Sequence, residues 1–173
     1  MVQRFSSGPR PLLDEATLRT AVGALGIFHL VLGLYMFFFP ASFYFRIGTY
    51  GPENTHYVGD VSTFVLALGV GLLLAVGRPS WRAPVLAVAA LWYGFHALNH
   101  LFDIDEARST ARGVIDFLVL AVGCGALAWL AAAADRARQL GGGERADGFG
   151  HDEEPAGARR GGADPRFEDR SDW

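Results

Sequence analysis

Four stretches without a charged residue restrict what this chain can fold into. They lie at residues 21–39, 61–77, 83–102 and 117–134. A soluble domain interrupts such runs with polar residues at the helical or strand repeat. A helix of about 20 apolar residues, by contrast, crosses the ~30 Å of hydrocarbon in a bilayer. The pattern therefore predicts an all-α, four-helix transmembrane bundle.

Caps, prolines and polar stretches set the predicted boundaries. Asp14 is a suitable N-cap for the first helix, Pro40 ends that helix, and Pro84 fits the first turn of the third. The tail is rich in Gly, Arg, Asp and Glu and is predicted to be disordered, because it has almost no aliphatic residue to bury. We expect a cytoplasmic lead at 1–13, a bundle at 14–140 with spans at about 18–39, 60–77, 83–102 and 113–134, and a disordered cytoplasmic tail at 141–173.

The arginines predict the orientation of the bundle. All 15 basic residues are arginine. Basic residues near the ends of spans concentrate on the cytoplasmic side. The lead, the second loop and the exit from the fourth span are richest in arginine, so both termini are predicted to lie in the cytoplasm, in the inner or plasma membrane. The relevant residues are Arg4, Arg10, Arg19, Arg78, Arg82, Arg136 and Arg138, against Arg46 in the first loop and Arg108 and Arg112 in the third.

Histidine and aspartate residues recur where the spans reach the predicted non-cytoplasmic face. Residues three, four or seven positions apart share one face of a helix, and the connectivity brings three sequence-distant sets to the same level. These sets are His56 and Asp60 at the start of the second span, His96, His100 and Asp103 at the end of the third, and Asp116 at the start of the fourth.

Several chemistries fit this cluster. Imidazole and carboxylate groups are ligands for Zn, Fe or Cu, so the six residues are candidate metal ligands. A histidine beside a carboxylate also suits proton-linked chemistry. A third interpretation is a purely structural polar network. Whether the chain is an enzyme stays open at this point.

His29 is the polar residue of the first span. Gly26 and Gly33 lie on the same helical stripe, and small residues mark helix contacts in membranes, so His29 is expected to face the interior. Haem between His29 and His96 is a less favoured alternative, because His29 would lie about 15 Å below the outer surface and His96 about 9 Å.

Other functional classes find no support. The chain lacks the glycine-rich nucleotide motifs, the hydrolase nucleophile motif and the Cys-x-x-Cys-His haem motif. A net charge of −3 gives no reason to expect nucleic-acid binding. The expected partners are the lipid bilayer and a membrane protein, either a different one or a second copy of this chain.

The first half of the chain resembles small bacterial membrane proteins of the DoxX-like kind and related families of unknown function. The residues that carry this resemblance are Gly26, Gly33, Pro40, Asn54, Ala67, Gly69 and Gly71. The resemblance implies a four-helix membrane fold. Because some such proteins are tied to quinone or thiol redox systems, it also implies a redox connection, without assigning a catalytic residue. The best-supported function is thus an integral membrane protein with a metal- or proton-linked His/Asp site, and the alternative is a non-catalytic scaffold or assembly partner.

Reporter fusions test the predicted orientation. Fusions after Arg82 and after Arg138 should report the cytoplasm, and a fusion at Gly51 should report the exterior, because arginine-rich flanks are retained inside. An exterior signal after Arg82 would overturn both the orientation and the level assigned to the polar cluster.

Overall fold

The computed structural model describes residues 10–149, with side chains described as far as Gly141. The described residues form helices and loops, with one isolated antiparallel bridge between Tyr50 and Ala107 and no strand. The all-α prediction is confirmed. The helices are α1 (Glu15–Phe38), α2 (Pro40–Arg46), α3 (Thr55–Val76), α4 (Pro79–Phe102) and α5 (Thr110–Phe149), and a 3₁₀ turn (Ile104–Glu106) precedes α5.

Four of these helices, α1, α3, α4 and α5, are long and apolar enough to cross a membrane. They correspond to the four predicted spans. Their outward faces carry large exposed apolar side chains, such as Phe38, Phe95 and Val122. Because contiguous apolar surface of this extent is unfavourable in water, the arrangement suggests a multi-pass membrane protein.

The helices begin or end at different residues than predicted. The Asn54 side chain accepts a hydrogen bond from the Tyr57 amide, and this cap starts α3 at Thr55. Helix α4 begins with Pro79 in its first turn, and α5 continues beyond the predicted boundary at 141 as far as Phe149. Before that boundary, Asp135 accepts hydrogen bonds from the side chains of Arg138 and Gln139. Residues 1–9 of the lead and 150–173 of the tail lie outside the described residues.

Helix α2 lies in what the sequence indicated to be a loop. Pro40 occupies its first turn, where a missing amide proton costs little. A hydrogen bond of 2.8 Å between the hydroxyls of Tyr35 and Ser42 ties α2 back to α1. The segment that follows, residues 47–54, connects α2 to α3 and is irregular.

Glycine permits a very close approach of α1 to α3. A Cβ atom at Gly69 would lie 2.7 Å from the backbone nitrogen of Leu30. Gly26 and Gly33 are equally confined, because Cβ atoms there would lie 2.9 Å and 2.8 Å from leucine side chains of α3. The glycine stripe predicted in the first span therefore does face another helix.

The bundle consists of two tightly packed pairs. Helix α1 packs most extensively on α3, and α4 packs most extensively on α5. In the second pair Gly123 lies against the ring of Tyr93, and Gly94 lies against Cys124. Contacts between α1 and α5 are few, so the two pairs are joined mainly through α3 and α4.

Arg82 joins three helices at the end of the bundle that holds the α3–α4 turn. Its guanidinium donates to both carboxylate oxygens of Glu15, at 2.8 and 2.9 Å, and to the carbonyls of Ala75 and Val76, at 3.2 and 2.9 Å. The residue is only 3% exposed. Because a buried charge needs this full set of partners, Arg82 holds α1, α3 and α4 together here.

Gly69→Ala should destabilise the fold, because the new methyl group would meet backbone rather than a movable side chain. We expect a loss of about 1–3 kcal/mol in the free energy of unfolding, measured by denaturation in detergent. Gly125→Ala is the matched control, since a Cβ there has no neighbour within 4 Å. Equal stability of the two variants would contradict the close contact.

Candidate functional site

A cavity of about 590 Å³ lies between the two helix pairs. All four long helices, α2 and segment 47–54 line it. This volume lies within the range of about 300–1,000 Å³ that is usual for small-molecule sites. The wall is mainly apolar and includes Leu32, Met36, Val61, Val65, Trp92 and Leu120.

Two histidines of α4 form a hydrogen-bonded pair in this wall. His96 and His100 are one turn apart, and their Nε2 atoms are 3.0 Å from each other. One nitrogen must donate and the other must accept, so at least one ring is neutral. The Trp92 ring lies 5.4 Å from the His96 ring, and the Tyr50 ring stands perpendicular to His100 at 4.4 Å, between ring centres. We call His96 and His100 the histidine pair.

The second nitrogen of His100 has no partner. Nδ1 of His100 is buried and makes no hydrogen bond, and among the described side chains it is the one buried nitrogen or oxygen in this state. Leaving such an atom unsatisfied costs about 1–3 kcal/mol.

Asp116 anchors the segment that covers the cavity. Its carboxylate accepts a hydrogen bond from the Tyr50 hydroxyl at 3.0 Å and one from Nε of Arg112 at 2.8 Å. Arg112 also donates to the carbonyl of Ile47 at 3.3 Å, so segment 47–54 is held against the start of α5. Loss of water around the ring, together with the Asp116 carboxylate, raises the pKa of Tyr50 to about 12. Tyr50 therefore keeps its proton and remains a donor to Asp116.

Three of the six predicted metal ligands lie away from the cavity wall. His56 and Asp60 pair with each other at 3.5 Å, with side chains 89% and 66% exposed. Because α3 starts at Thr55, its cavity face carries Tyr57, Val58 and Val61 instead. Asp103 caps the end of α4, and its carboxylate accepts a hydrogen bond from the side-chain amide of Asn99.

The remaining three, His96, His100 and Asp116, do line the cavity. Asp116 is already engaged by Tyr50 and Arg112. Across residues 10–141, no three His, Cys, Asp or Glu side chains are grouped as a metal site would require. The geometry thus offers a pair of imidazoles rather than the predicted six-residue ligand set.

His29 lies in the bundle interior, fully buried. Its Nδ1 donates to the carbonyl of Leu25 at 2.8 Å, which leaves Nε2 to accept from the Tyr93 hydroxyl at 3.2 Å. Both ring nitrogens are therefore engaged, Nδ1 within α1 and Nε2 in the link from α1 to α4. Neither is directed at the histidine pair, so the geometry gives no support to haem between His29 and His96.

Sequence reasoning missed Tyr50, Arg112 and Trp92 as parts of the site. The aromatic character of the first loop was visible, and Arg112 precedes Asp116 by one helical turn. That spacing alone would have predicted their ion pair. The position of Tyr50 depends on an irregular segment, for which no periodic pattern exists.

Comparison of the chain with protein-family models, with curated proteins and with solved structures finds no match. The expected resemblance to DoxX-like proteins therefore stays a prediction from the sequence.

Asp116→Asn should lower the pKa of Tyr50, because the carboxylate both accepts its proton and opposes a phenolate charge. The value should fall below about 12 but stay above the ordinary value of 10.0, since loss of water around the ring also raises it. Ultraviolet absorbance of the phenolate, taken as the difference between parent and Tyr50→Phe at each pH, isolates this residue. An unchanged titration in Asp116→Asn would show that the two groups do not interact.

Proposed function

We propose that this chain is a multi-pass protein of the inner or plasma membrane, with both termini in the cytoplasm. Its cavity holds a small, mainly apolar molecule against the histidine pair, and the pair exchanges a proton with that molecule or with water. The observation that carries this proposal is the hydrogen-bonded pair of imidazoles in the wall of a mainly apolar cavity.

The histidine pair supports a proton-linked role. A 3.0 Å contact between two Nε2 atoms shares one proton, which either ring can carry. Imidazole is the side chain that most readily gains and loses a proton near neutral pH. Tyr50 and Asp116 adjoin the pair and connect it to the loop that covers the cavity.

A metal site is a weaker interpretation of the same residues. Protein zinc sites use three or four protein ligands, whereas two imidazole nitrogens lie together here. Asp116, the nearest carboxylate in the wall, is held by Arg112 and Tyr50. The scaffold alternative is also weaker, because a purely structural network would satisfy its buried atoms, and His100 Nδ1 is unsatisfied.

Binding of bromobenzene tests the cavity. In lipid nanodiscs, a full-length variant with Trp81→Phe, Trp129→Phe and Trp173→Phe retains Trp92 as its tryptophan. Trp81 and Trp129 are half-exposed and remote from the cavity wall, so these replacements should be tolerated. Bromobenzene in the cavity should quench Trp92 fluorescence in a saturable way, since bromine is an efficient quencher at short range.

Val61→Phe should weaken the saturable quenching, because the larger ring occupies part of the cavity. Val70→Phe is the matched control, since Val70 lies on α3 but faces outward. Equal quenching in both variants would overturn the proposal and favour the scaffold.

Elemental analysis of protein purified without chelator tests the metal interpretation. Near-stoichiometric Zn, Fe or Cu that is lost in both His96→Ala and His100→Ala would replace the proposal by a metal site.

A further inference from the structure

The cavity extends to the middle of the bundle. We call the end of the bundle that α2 and segment 47–54 cover the covered end. The deepest wall residue of each long helix lies ten positions from this end, which is about 15 Å at a rise of 1.5 Å per residue. These residues are Phe28, Val65, Trp92 and Leu120, counted from Phe38, Thr55, Phe102 and Thr110. In a membrane with about 30 Å of hydrocarbon, the base of the cavity therefore lies near the midplane.

The wall changes from polar to apolar along this depth. Its charged, amide and imidazole side chains on the long helices lie within about 9 Å of the covered end. They are His96, Asn99, His100, Arg112 and Asp116. Below them the wall consists of aliphatic and aromatic side chains, including Tyr93, whose hydroxyl is engaged by Nε2 of His29. A molecule that matches this wall has a polar group at one end and hydrocarbon at the other.

The fixed charges in the polar part of the wall cancel. Arg112 and Asp116 are the acid and the base that line the cavity, and Nε of Arg112 lies 2.8 Å from the carboxylate of Asp116. An ionised group placed here would lose its hydration without gaining an unpaired counter-charge, which is strongly unfavourable. The polar end of a matching molecule is therefore uncharged.

The base of the cavity is covered better on one side than on the other. Between α3 and α4 the rings of Phe64 and Trp92 pack together, with their centres 5.4 Å apart. Between α1 and α5 the contacts are few. Phe28 of α1 and Val119 of α5 line the cavity and yet are 53% and 63% exposed. Because both residues belong to the cavity wall and to the bundle surface, the apolar base adjoins that surface between α1 and α5.

From the depth, polarity, charge balance and uncovered side of the cavity, we infer that its ligand is an uncharged single-chain amphiphile of the bilayer. Its polar group lies beside Arg112 and Asp116, and its hydrocarbon chain passes the base and leaves between Phe28 and Val119. The same order of polar and apolar parts exists along one leaflet, so the amphiphile exchanges with the leaflet without turning over. The inference rests on the proposed cavity function and specifies the class and orientation of its ligand.

Brominated alcohols of two lengths test this orientation in the Trp92 quenching assay. The bromine of 6-bromo-1-hexanol is close enough to the hydroxyl to remain inside the cavity, so this alcohol should quench Trp92 saturably. The bromine of 12-bromo-1-dodecanol is at the far end of a longer chain, outside the bundle. The longer alcohol should therefore displace the shorter one and restore most of the lost fluorescence. A tryptophan ester in nanodiscs without protein corrects for bromine that quenches from the lipid.

Val119→Phe tests the uncovered side, because the larger ring narrows the space beside Phe28. This variant should weaken the binding of 1-dodecanol about tenfold more than that of bromobenzene, which the cavity contains entirely. Displacement of 6-bromo-1-hexanol measures the first affinity, and direct quenching measures the second. Val122→Phe is the matched control, since Val122 is 70% exposed on α5 and does not line the cavity.

Two further competitors test the polar end. Dodecyltrimethylammonium has the chain of 1-dodecanol with a fixed positive charge, and dodecane has no polar group. The alcohol should displace bromobenzene at about a tenfold lower membrane concentration than either, because the charged group loses hydration and the alkane gains no polar contact.

The outcomes distinguish this inference from the proposed function. Quenching by 12-bromo-1-dodecanol as strong as that by 6-bromo-1-hexanol, or no displacement by 1-dodecanol, would overturn the inference and leave the cavity function intact. Equal displacement by the three twelve-carbon compounds would overturn the uncharged polar end. If neither bromobenzene nor an alcohol binds in a way that Val61→Phe weakens, the proposed function itself fails. The alcohol series uses the native cavity wall and decides the inference even if Val119→Phe does not fold.

Discussion

The contact between α1 and α3 at Gly69 is the constraint on which the rest of the bundle depends. A side chain at this position would press on the backbone of Leu30, so the two helices can meet only because Gly69 has no Cβ. Helices α4 and α5 form a second close pair. Since few contacts join α1 to α5, the space between the pairs is not closed by packing, and the cavity occupies it.

Among the described residues, the other buried polar side-chain atoms have hydrogen-bond partners. Arg82 has Glu15 and two carbonyls, and His29 has a carbonyl and a hydroxyl. A bilayer interior offers no water to replace missing partners, so such pairing is expected of a membrane bundle. Against this background the free Nδ1 of His100 stands apart.

The parts of the fold that follow a periodic pattern could be predicted from the sequence. Uncharged runs predicted the four long helices, and helical spacing predicted that Gly26 and Gly33 meet another helix and that His96 and His100 share one face. The same spacing was misleading for His56 and Asp60. Connectivity brings them to one end of the bundle, but the cap at Asn54 fixes a helix face on which their side chains are exposed.

Structural features that follow no repeating sequence pattern could not be predicted. The position of Tyr50 depends on segment 47–54, whose path is determined by its bonds to α5 rather than by its own sequence pattern. Arg82 was interpreted as a marker of orientation, because nothing in the sequence pairs it with Glu15, which lies far away along the chain. The burial of that arginine is a property of the assembled bundle.

The ion pair of Arg82 with Glu15 also has a consequence for how a molecule reaches the cavity. It secures α1, α3 and α4 at the end where α3 turns into α4, whereas the cavity lies toward the opposite end, beneath α2 and segment 47–54. The cavity end is tied as well, because Tyr50 bonds to Asp116 and Arg112 bonds to Ile47, so the least covered side lies between α1 and α5. In the proposed membrane setting, the sparse contact between α1 and α5 gives a sideways route from the lipid. A molecule dissolved in the bilayer would then reach His100 without first passing through water.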